Sequence, residues 1–205
     1  MSASSAPDPE GAEGPYPIEP RRRRPSARQA RTLDRLLDAA AAEARDLGYD
    51  GTTVRGAARR AGVAAATAYT HFASKDHLLA EVMGREMSRL LDAPPARGAR
   101  PVTRLTAELR RLGTFMADEP ALAAAGALAL LQTGPEIAAI RMRMGRAFHD
   151  RLAAAIGAAG TGEVMRALDI LYSGALLWMG LGHLAADQVP DALASAGQLI
   201  MRGAR

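Results

Sequence analysis

An all-α fold follows from three observations on these 205 residues. Apolar residues recur with the i, i+3, i+4, i+7 rhythm of an amphipathic helix in one segment after another. Proline and glycine fall between those segments, where helices start and stop. No stretch alternates apolar and polar residues as a half-buried strand does. The punctuation divides the chain into about nine helices, preceded by a segment with little to bury.

That segment, residues 1–27, is rich in Pro, Ser, Gly and Glu. It lacks the large apolar residues that would offset ordering, so a disordered arm is expected. The first helix spans Arg28–Leu47, with Leu33, Leu36, Leu37, Ala40, Ala41, Ala44 and Leu47 on its inward stripe. Gly48 follows as a C′ residue, and Thr52 stands where an N-cap of the next helix belongs. Two short helices follow, about Thr53–Arg60 and Ala64–Phe72, joined by Ala61-Gly62-Val63. Ser74 is the expected N-cap of a fourth helix, with Asp76 in its first turn favoured by the helix dipole. That helix runs to about Leu91 with Leu78, Leu79, Val82, Met83, Met87, Leu90 and Leu91 inward. The span Ala93–Pro101, with three prolines and a glycine, reads as a linker.

The remaining elements are set by similar signals. Val102, Leu105, Leu109, Leu112 and Met116 form the stripe of the fifth helix. Pro120 starts the sixth, which Gly134 ends, and Pro135 starts the seventh, which fades near Gly157–Gly160. Proline is tolerated in a first turn because its missing N–H had no partner there. Thr161 or Gly162 starts the eighth helix and Pro190 the ninth. The eighth is apolar nearly all round, from Ile170 to Leu181. A helix apolar on every face is buried on every face, so one side is expected to pack inward and another to meet a second subunit.

Composition excludes several classes of function. The chain has no cysteine, which removes disulfides and cysteine metal sites. Its four histidines, at 71, 77, 149 and 183, lack ligand-like spacing, so neither metal nor cofactor is expected. Ser173 has no His or acid placed beside it in sequence, and His149-Asp150 point to different helix faces, so no enzyme chemistry is indicated. The apolar run Ile170–Leu181 is too short and too interrupted to span a bilayer. No secretory h-region follows the N-terminus, and a cytoplasmic protein without a membrane partner is expected.

Charge is uneven along the chain. Residues 1–20 carry −4, residues 21–90 carry +6 and residues 91–205 carry +2, within a total of +4. The positive excess lies on the two short helices and their surroundings, as binding to DNA phosphates requires. A short helix pair with a glycine in its tight turn is a helix-turn-helix pattern, whose second helix enters the major groove. Arg21–Arg24 have two readings: an arm that reaches DNA, with the minor groove as one target, or a solvated charge run beside an acidic tail.

The register of Thr52-Thr53, Arg55, Ala58, Ala61-Gly62-Val63, Thr67, Tyr69, His71-Phe72 and Ser74-Lys75 resembles the TetR family of bacterial repressors. The pattern, with its first helix, covers about a quarter of the chain. It departs at Ala57, where a larger aliphatic is common, at Ala64, where a capping Ser is common, and at Ala68, where Leu is common. The resemblance implies a helix-turn-helix unit over 28–75. A helical ligand-binding and dimerisation unit follows over 76–205, joined through the fourth helix. It also implies a homodimer whose eighth and ninth helices pair with their copies.

The site residues follow from that resemblance. Ala64, Ala65, Ala66 and Thr67 form the turn that meets base edges. Three alanines make no hydrogen bonds, so direct readout falls to Arg55, whose fork suits guanine O6 and N7, with Thr67 second. Thr53, Tyr69, Thr70, His71 and Lys75 are expected on phosphates, and Phe72 in packing. Lys75 is the only lysine among 26 basic residues. The second unit is soft, with Met116, Met142, Met144, Met165 and Met179, as suits adaptable binding as well as plain core packing. An apolar pocket is expected among Phe115, Met116, Met144, Phe148 and Trp178, with Arg141 beside an acidic headgroup or in solvent. The run His77–Asp92 is similar to actinobacterial regulators of sterol and lipid catabolism. The function implied is a repressor released from a double-stranded operator by a small apolar ligand. The alternative is a ligand-independent or activating regulator of the same fold.

Overall fold

The computed structural model describes residues 26–203, all of whose regular elements are helical. The Arg21–Arg24 arm and residues 1–25 of the expected 1–27 segment therefore lie outside the described residues, while Ser26 and Ala27 belong to the start of the first helix. The helices are α1 (Ala27–Gly51), α2 (Val54–Arg60), α3 (Ala65–His71), α4 (Lys75–Asp92), α5 (Pro101–Asp118), α6 (Pro120–Leu131), α7 (Pro135–Ile156), α8 (Gly162–Gly180) and α9 (Val189–Gly203). Short 3₁₀ turns follow α7 at Gly157–Ala159 and precede α9 at Ala186–Gln188.

Local chemistry explains most boundaries. Ser26 opens α1 with a reciprocal capping box: its hydroxyl accepts from the Gln29 N–H, and the Gln29 side chain accepts from the Ser26 N–H. Gly48 breaks the helical path within α1 at φ 67°. The N-cap of α2 is Thr53, whose hydroxyl accepts from Gly56 N–H at 2.9 Å, and not Thr52 as expected. Thr52 is fully buried instead and donates to the Gly48 carbonyl at 2.7 Å. Ser74 caps α4 and Thr161 caps α8, while Pro101, Pro120 and Pro135 sit in the first turns of α5, α6 and α7. Pro101 thus begins a helix where it was expected to end a linker. Gly134 caps the start of α7, and α6 has already ended at Leu131.

Two cores form. The first joins Leu36, Ala40 and Ala44 of α1 to Ala57, Ala68, Phe72 and the α4 residues Leu78, Leu79 and Val82. Leu122, Ala125 and Ala129 of α6 belong to it as well. The second core fills the space among α4 to α9, with Leu105, Leu109, Leu112, Met116, Ile140, Leu152 and Leu168. Ala123, Ala127 and Leu130 of α6 belong to this one. So α6 is apolar all round because it divides the two cores and is covered from both sides. Packing of the first core therefore runs well past residue 75.

One stripe residue departs from expectation. Leu47 is 56% exposed although its helical phase is right. The chain leaves the helical path at Gly48, directly after Leu47, so the helix does not continue into the layer that covers its inward stripe.

The α4–α5 connection is anchored. Glu108 of α5, buried to 1% exposure, accepts from Arg151 Nε at 3.0 Å and from the Ala96 N–H. Arg151 of α7 also donates to the carbonyls of Leu91 and Pro94. A buried carboxylate needs this many donors, and their effect is to hold the end of α4 against α5 and α7. No single helix among the described residues is long and apolar enough to cross a membrane.

Candidate nucleic-acid interface and ligand cavity

Helices α2 and α3 cross through the turn at Ala61-Gly62-Val63. Gly62 adopts φ 64°, a conformation that costs glycine little and other residues more. Val63 N–H donates to Ala58 O at 2.9 Å, which fixes the direction of α3. Ala64 precedes α3 without a side-chain cap, so the first N–H groups of this helix have no internal acceptor there. Ala68 and Phe72 are buried beneath α3, and Phe72 stands edge-on to His77 of α4 at 5.5 Å.

A buried acid orients α2. Glu43 of α1 is 4% exposed and accepts from Thr53 N–H at 3.3 Å, against the N-terminal end of α2. Gly56 makes the room: a Cβ at that position would lie 2.3 Å from Glu43 Oε1. The carboxylate and the missing side chain are one fit. No sequence pattern marks Glu43, because an acid on a helix ordinarily faces water.

The expected contact residues separate into two groups. Thr53, Arg55, Ala64, Ala66, Thr67, Tyr69 and Thr70 are exposed, and Ala65 and His71 are half-buried. Arg55 has no ion pair or hydrogen bond among the described residues, whereas Arg60 on the same helix is paired with Asp46 at 2.7 Å. Tyr69 is half exposed on the outer side of α3. Thr70 donates to the Thr67 carbonyl at 2.6 Å.

Lys75 is placed differently from the expected phosphate grip. Its ammonium donates to the Tyr49 carbonyl at 3.1 Å and sits 4.0 Å from the centre of the Tyr49 ring. The Tyr49 hydroxyl in turn donates to Asp76 Oδ1 at 2.5 Å. Burial, aided by that bond, pushes the phenol up to about 12, so it stays a donor at neutral pH. Lys75, Tyr49 and Asp76 tie the start of α4 to the end of α1. Lys75→Ala is therefore expected to lower stability by about 1 kcal/mol. It should leave the salt dependence of DNA binding unchanged. A salt slope reduced by about 0.9 would mark a phosphate contact instead.

The structure also brings in residues that motif reasoning missed. Arg28, Arg31 and Arg35 line a groove with Gly62, Val63 and Thr67, beside the entrance to α3. All three arginines are exposed. Their i, i+3, i+7 spacing on one face of α1 was the available signal.

A cavity of about 420 Å³ opens among α6, α7 and α8. Arg141, Met144 and Phe148 line it. Phe115, Met116 and Trp178 do not. Met116 is sealed in the second core, Phe115 is packed against that core, and Trp178 points outward at 58% exposure with its ring edge-on to His183. The helical phase of Trp178 explains this, because it lies on the far side of α8 from Tyr172 and Leu176, which do line the cavity. Tyr172 is stacked on Phe148 at 4.2 Å, and burial raises its phenol well above the ordinary range. Arg141 donates twice through Nη1, to the carbonyls of Leu130 at 2.7 Å and Gln132 at 2.8 Å. It thereby closes the C-terminal end of α6. Among the described residues no His, Cys, Asp or Glu cluster could hold a metal ion.

Comparison with known proteins shows what the chain and its fold are similar to. The family model for bacterial regulatory proteins of the tetR family matches residues 36–82. Over 179 residues the chain is 38% identical to an uncharacterized HTH-type transcriptional regulator of Mycobacterium tuberculosis, spanning 86% of this chain and 84% of that one. Over 100 residues it is 39% identical to the HTH-type transcriptional repressor KstR of the same organism, 47% of this chain and 46% of that one. Its fold is similar to Thermus thermophilus FadR, a TetR-family repressor solved with lauroyl-CoA. The TM-score is 0.65 at 22% identity, covering 83% of this chain and 94% of that one.

Proposed function

This chain belongs to the TetR family of bacterial regulatory proteins, and on that premise we propose that it is a homodimeric repressor released from its operator by a small apolar ligand. It is a DNA-binding transcriptional regulator rather than an enzyme. On this reading residues 28–75 carry the DNA contacts and residues 76–205 bind ligand and dimerise, and the protein works in the cytoplasm, where its operator lies.

One observation carries the ligand reading: the same helices serve the cavity and the DNA-binding unit. Ala127, Leu130 and Leu131 of α6 and Met87 of α4 line the cavity. Leu122, Ala125 and Ala129 of α6 and Leu78, Leu79 and Val82 of α4 complete the core under α2 and α3. A ligand that shifts α6 or α4 moves the recognition helix with it, because a packed core transmits displacement rather than absorbing it. The ligand then favours the DNA-free arrangement, and operator DNA must weaken ligand binding by the same factor. The repressor named among the relatives supports repression as the mode of action, and the lauroyl-CoA held by the Thermus protein supports a ligand with an apolar chain.

In DNA recognition, Arg55 and Thr67 read bases. Tyr69, Thr70, His71 and Thr53 meet phosphates, joined by Arg28 and Arg31 from α1. The test is footprinting on DNA upstream of the protein's own gene. A near-palindrome is expected, with half-sites about 10 bp apart or a little more. Binding that is salt-sensitive but indifferent to sequence would overturn the operator assignment. A screen of apolar ligands that leaves operator affinity unchanged would favour a ligand-independent regulator.

A further inference from the structure

The cavity is polarised along its length. Arg141 of α7, Leu131 of α6 and Leu177 of α8 border its open end, and all three are exposed. Met87, Phe148 and Tyr172 close its other end, and all three are buried. Arg141 and Phe148 lie two turns apart on α7, about 10 Å along the helix. The closed end suits apolar chain: the rings of Phe148 and Tyr172 are stacked, and the Tyr172 hydroxyl already rests on the Met87 sulfur at 3.9 Å. Asp169 also lines the cavity, at the closed end beside Phe148 and His149. Its charge is set away from the opening, because Oδ2 is joined to His149 Nδ1 at 3.1 Å and Oδ1 is buried. The open end therefore carries one cation, and only part of it is engaged. Arg141 Nη1 donates to the carbonyls of Leu130 and Gln132, while Nε and Nη2 make no hydrogen bond among the described residues. That free edge is a fork that matches two oxygens of one carboxylate or phosphate. The two carbonyl bonds hold the guanidinium in place, so less freedom is lost when an anion arrives.

We infer that Arg141 selects the ligand's headgroup: the ligand is an amphipathic anion that sets a carboxylate or phosphate on the Nε–Nη2 edge of Arg141 and runs its apolar chain inward to Met87, Phe148 and Tyr172. The inference rests on the ligand-binding reading above and narrows it to a headgroup and to the residue that holds it. An alcohol of the same length fills the same apolar space but offers the guanidinium only a neutral acceptor. An ammonium sets like charges together. The same guanidinium closes the end of α6, so the headgroup is fastened to the helix that divides the two cores.

Probes of one chain length separate these cases: dodecanoate, dodecyl phosphate, dodecan-1-ol and dodecylamine, each below its aggregation concentration. Affinity for the full-length protein is measured by calorimetry, and release is followed on operator DNA. The anions are expected to bind about tenfold or more tightly than the alcohol, as hydrogen bonds between charged groups allow, with the amine weakest. The tighter of the two anions identifies the headgroup. Arg141→Met should bring both anions down to the affinity of the alcohol and leave the alcohol nearly unchanged. Arg141→Lys, which keeps the charge without the fork, should retain part of the preference. Equal loss of every probe in both variants would mark Arg141 as a cap of α6 alone and overturn the inference. Equal affinity of anions and alcohol for the natural protein would also overturn it, while leaving a ligand-controlled regulator in place. Failure of all the probes to bind would remove the cavity as a ligand site, and this inference with it.

Discussion

Leu181→Glu is expected to yield monomers or insoluble protein, with operator binding lost in proportion. Outside the core-facing side of α8, Ile170 is 67% exposed, Trp178 58% and Leu181 54%, and Leu199 of the neighbouring α9 is 65% exposed. Large apolar side chains gathered on two adjacent helices mark a surface that another protein covers. On the proposed homodimer reading the partner is a second copy of the chain, and the contact would be self-complementary. A glutamate buried there has no partner charge, and an unpaired buried charge costs several kcal/mol. Losing the dimer also loses the linkage between two half-site contacts, which is worth orders of magnitude in affinity. Light scattering gives the oligomeric state, and anisotropy on labelled operator gives binding. Ile170→Glu serves as the second variant. Leu177 is the poorer choice because it also lines the cavity. Intact dimers from both variants would place the interface elsewhere. Trp178, exposed on this face, should report dimerisation by a blue shift of its fluorescence rather than report ligand.

Arg55→Ala is expected to cost roughly 1–3 kcal/mol of operator affinity and to relax base preference. The start of α3 presents Ala64, Ala65 and Ala66, which can touch thymine methyls but donate nothing. Arg55 is exposed on the first turn of α2, and its guanidinium is unpaired among the described residues, so forming a base contact breaks no internal bond. Arg28→Ala should act differently, weakening all sequences alike and lowering the salt slope by about one, as a phosphate contact does. The discriminating measurement is the binding-site preference determined by selection from random DNA. An unchanged preference in Arg55→Ala would give the readout to another residue, with Thr67 the next to test.

Much of the architecture was legible because its causes are local. The prolines at 120 and 135, the cap at Ser74 and the turn glycine at 62 act within a few residues, and the helices begin and turn where those residues require. The recognition pattern was legible for a related reason: its exposed positions alternate with Ala58, Ala68 and Phe72 at helical spacing, so burial and exposure could be assigned by phase. The cavity residues were harder. Arg141, Met144 and Phe148 follow from an inward stripe on α7, but Trp178 shows the limit of phase on a helix that is apolar all round, since no face is then distinguished.

What the sequence determined by itself is the set of helices, the caps at Ser74 and Thr161 and the identity of the DNA-binding unit, since each depends on neighbours within one or two turns. What only the tertiary structure decided is who meets whom across distance. It buries Glu43 against Gly56, turns Lys75 inward onto Tyr49, and sets α6 between two cores. It also buries Asp169 Oδ1 without a hydrogen-bond partner. Periodicity states which side of a helix avoids water, but the partner is chosen by close packing of the whole chain, and that choice is encoded in shape rather than in any one segment.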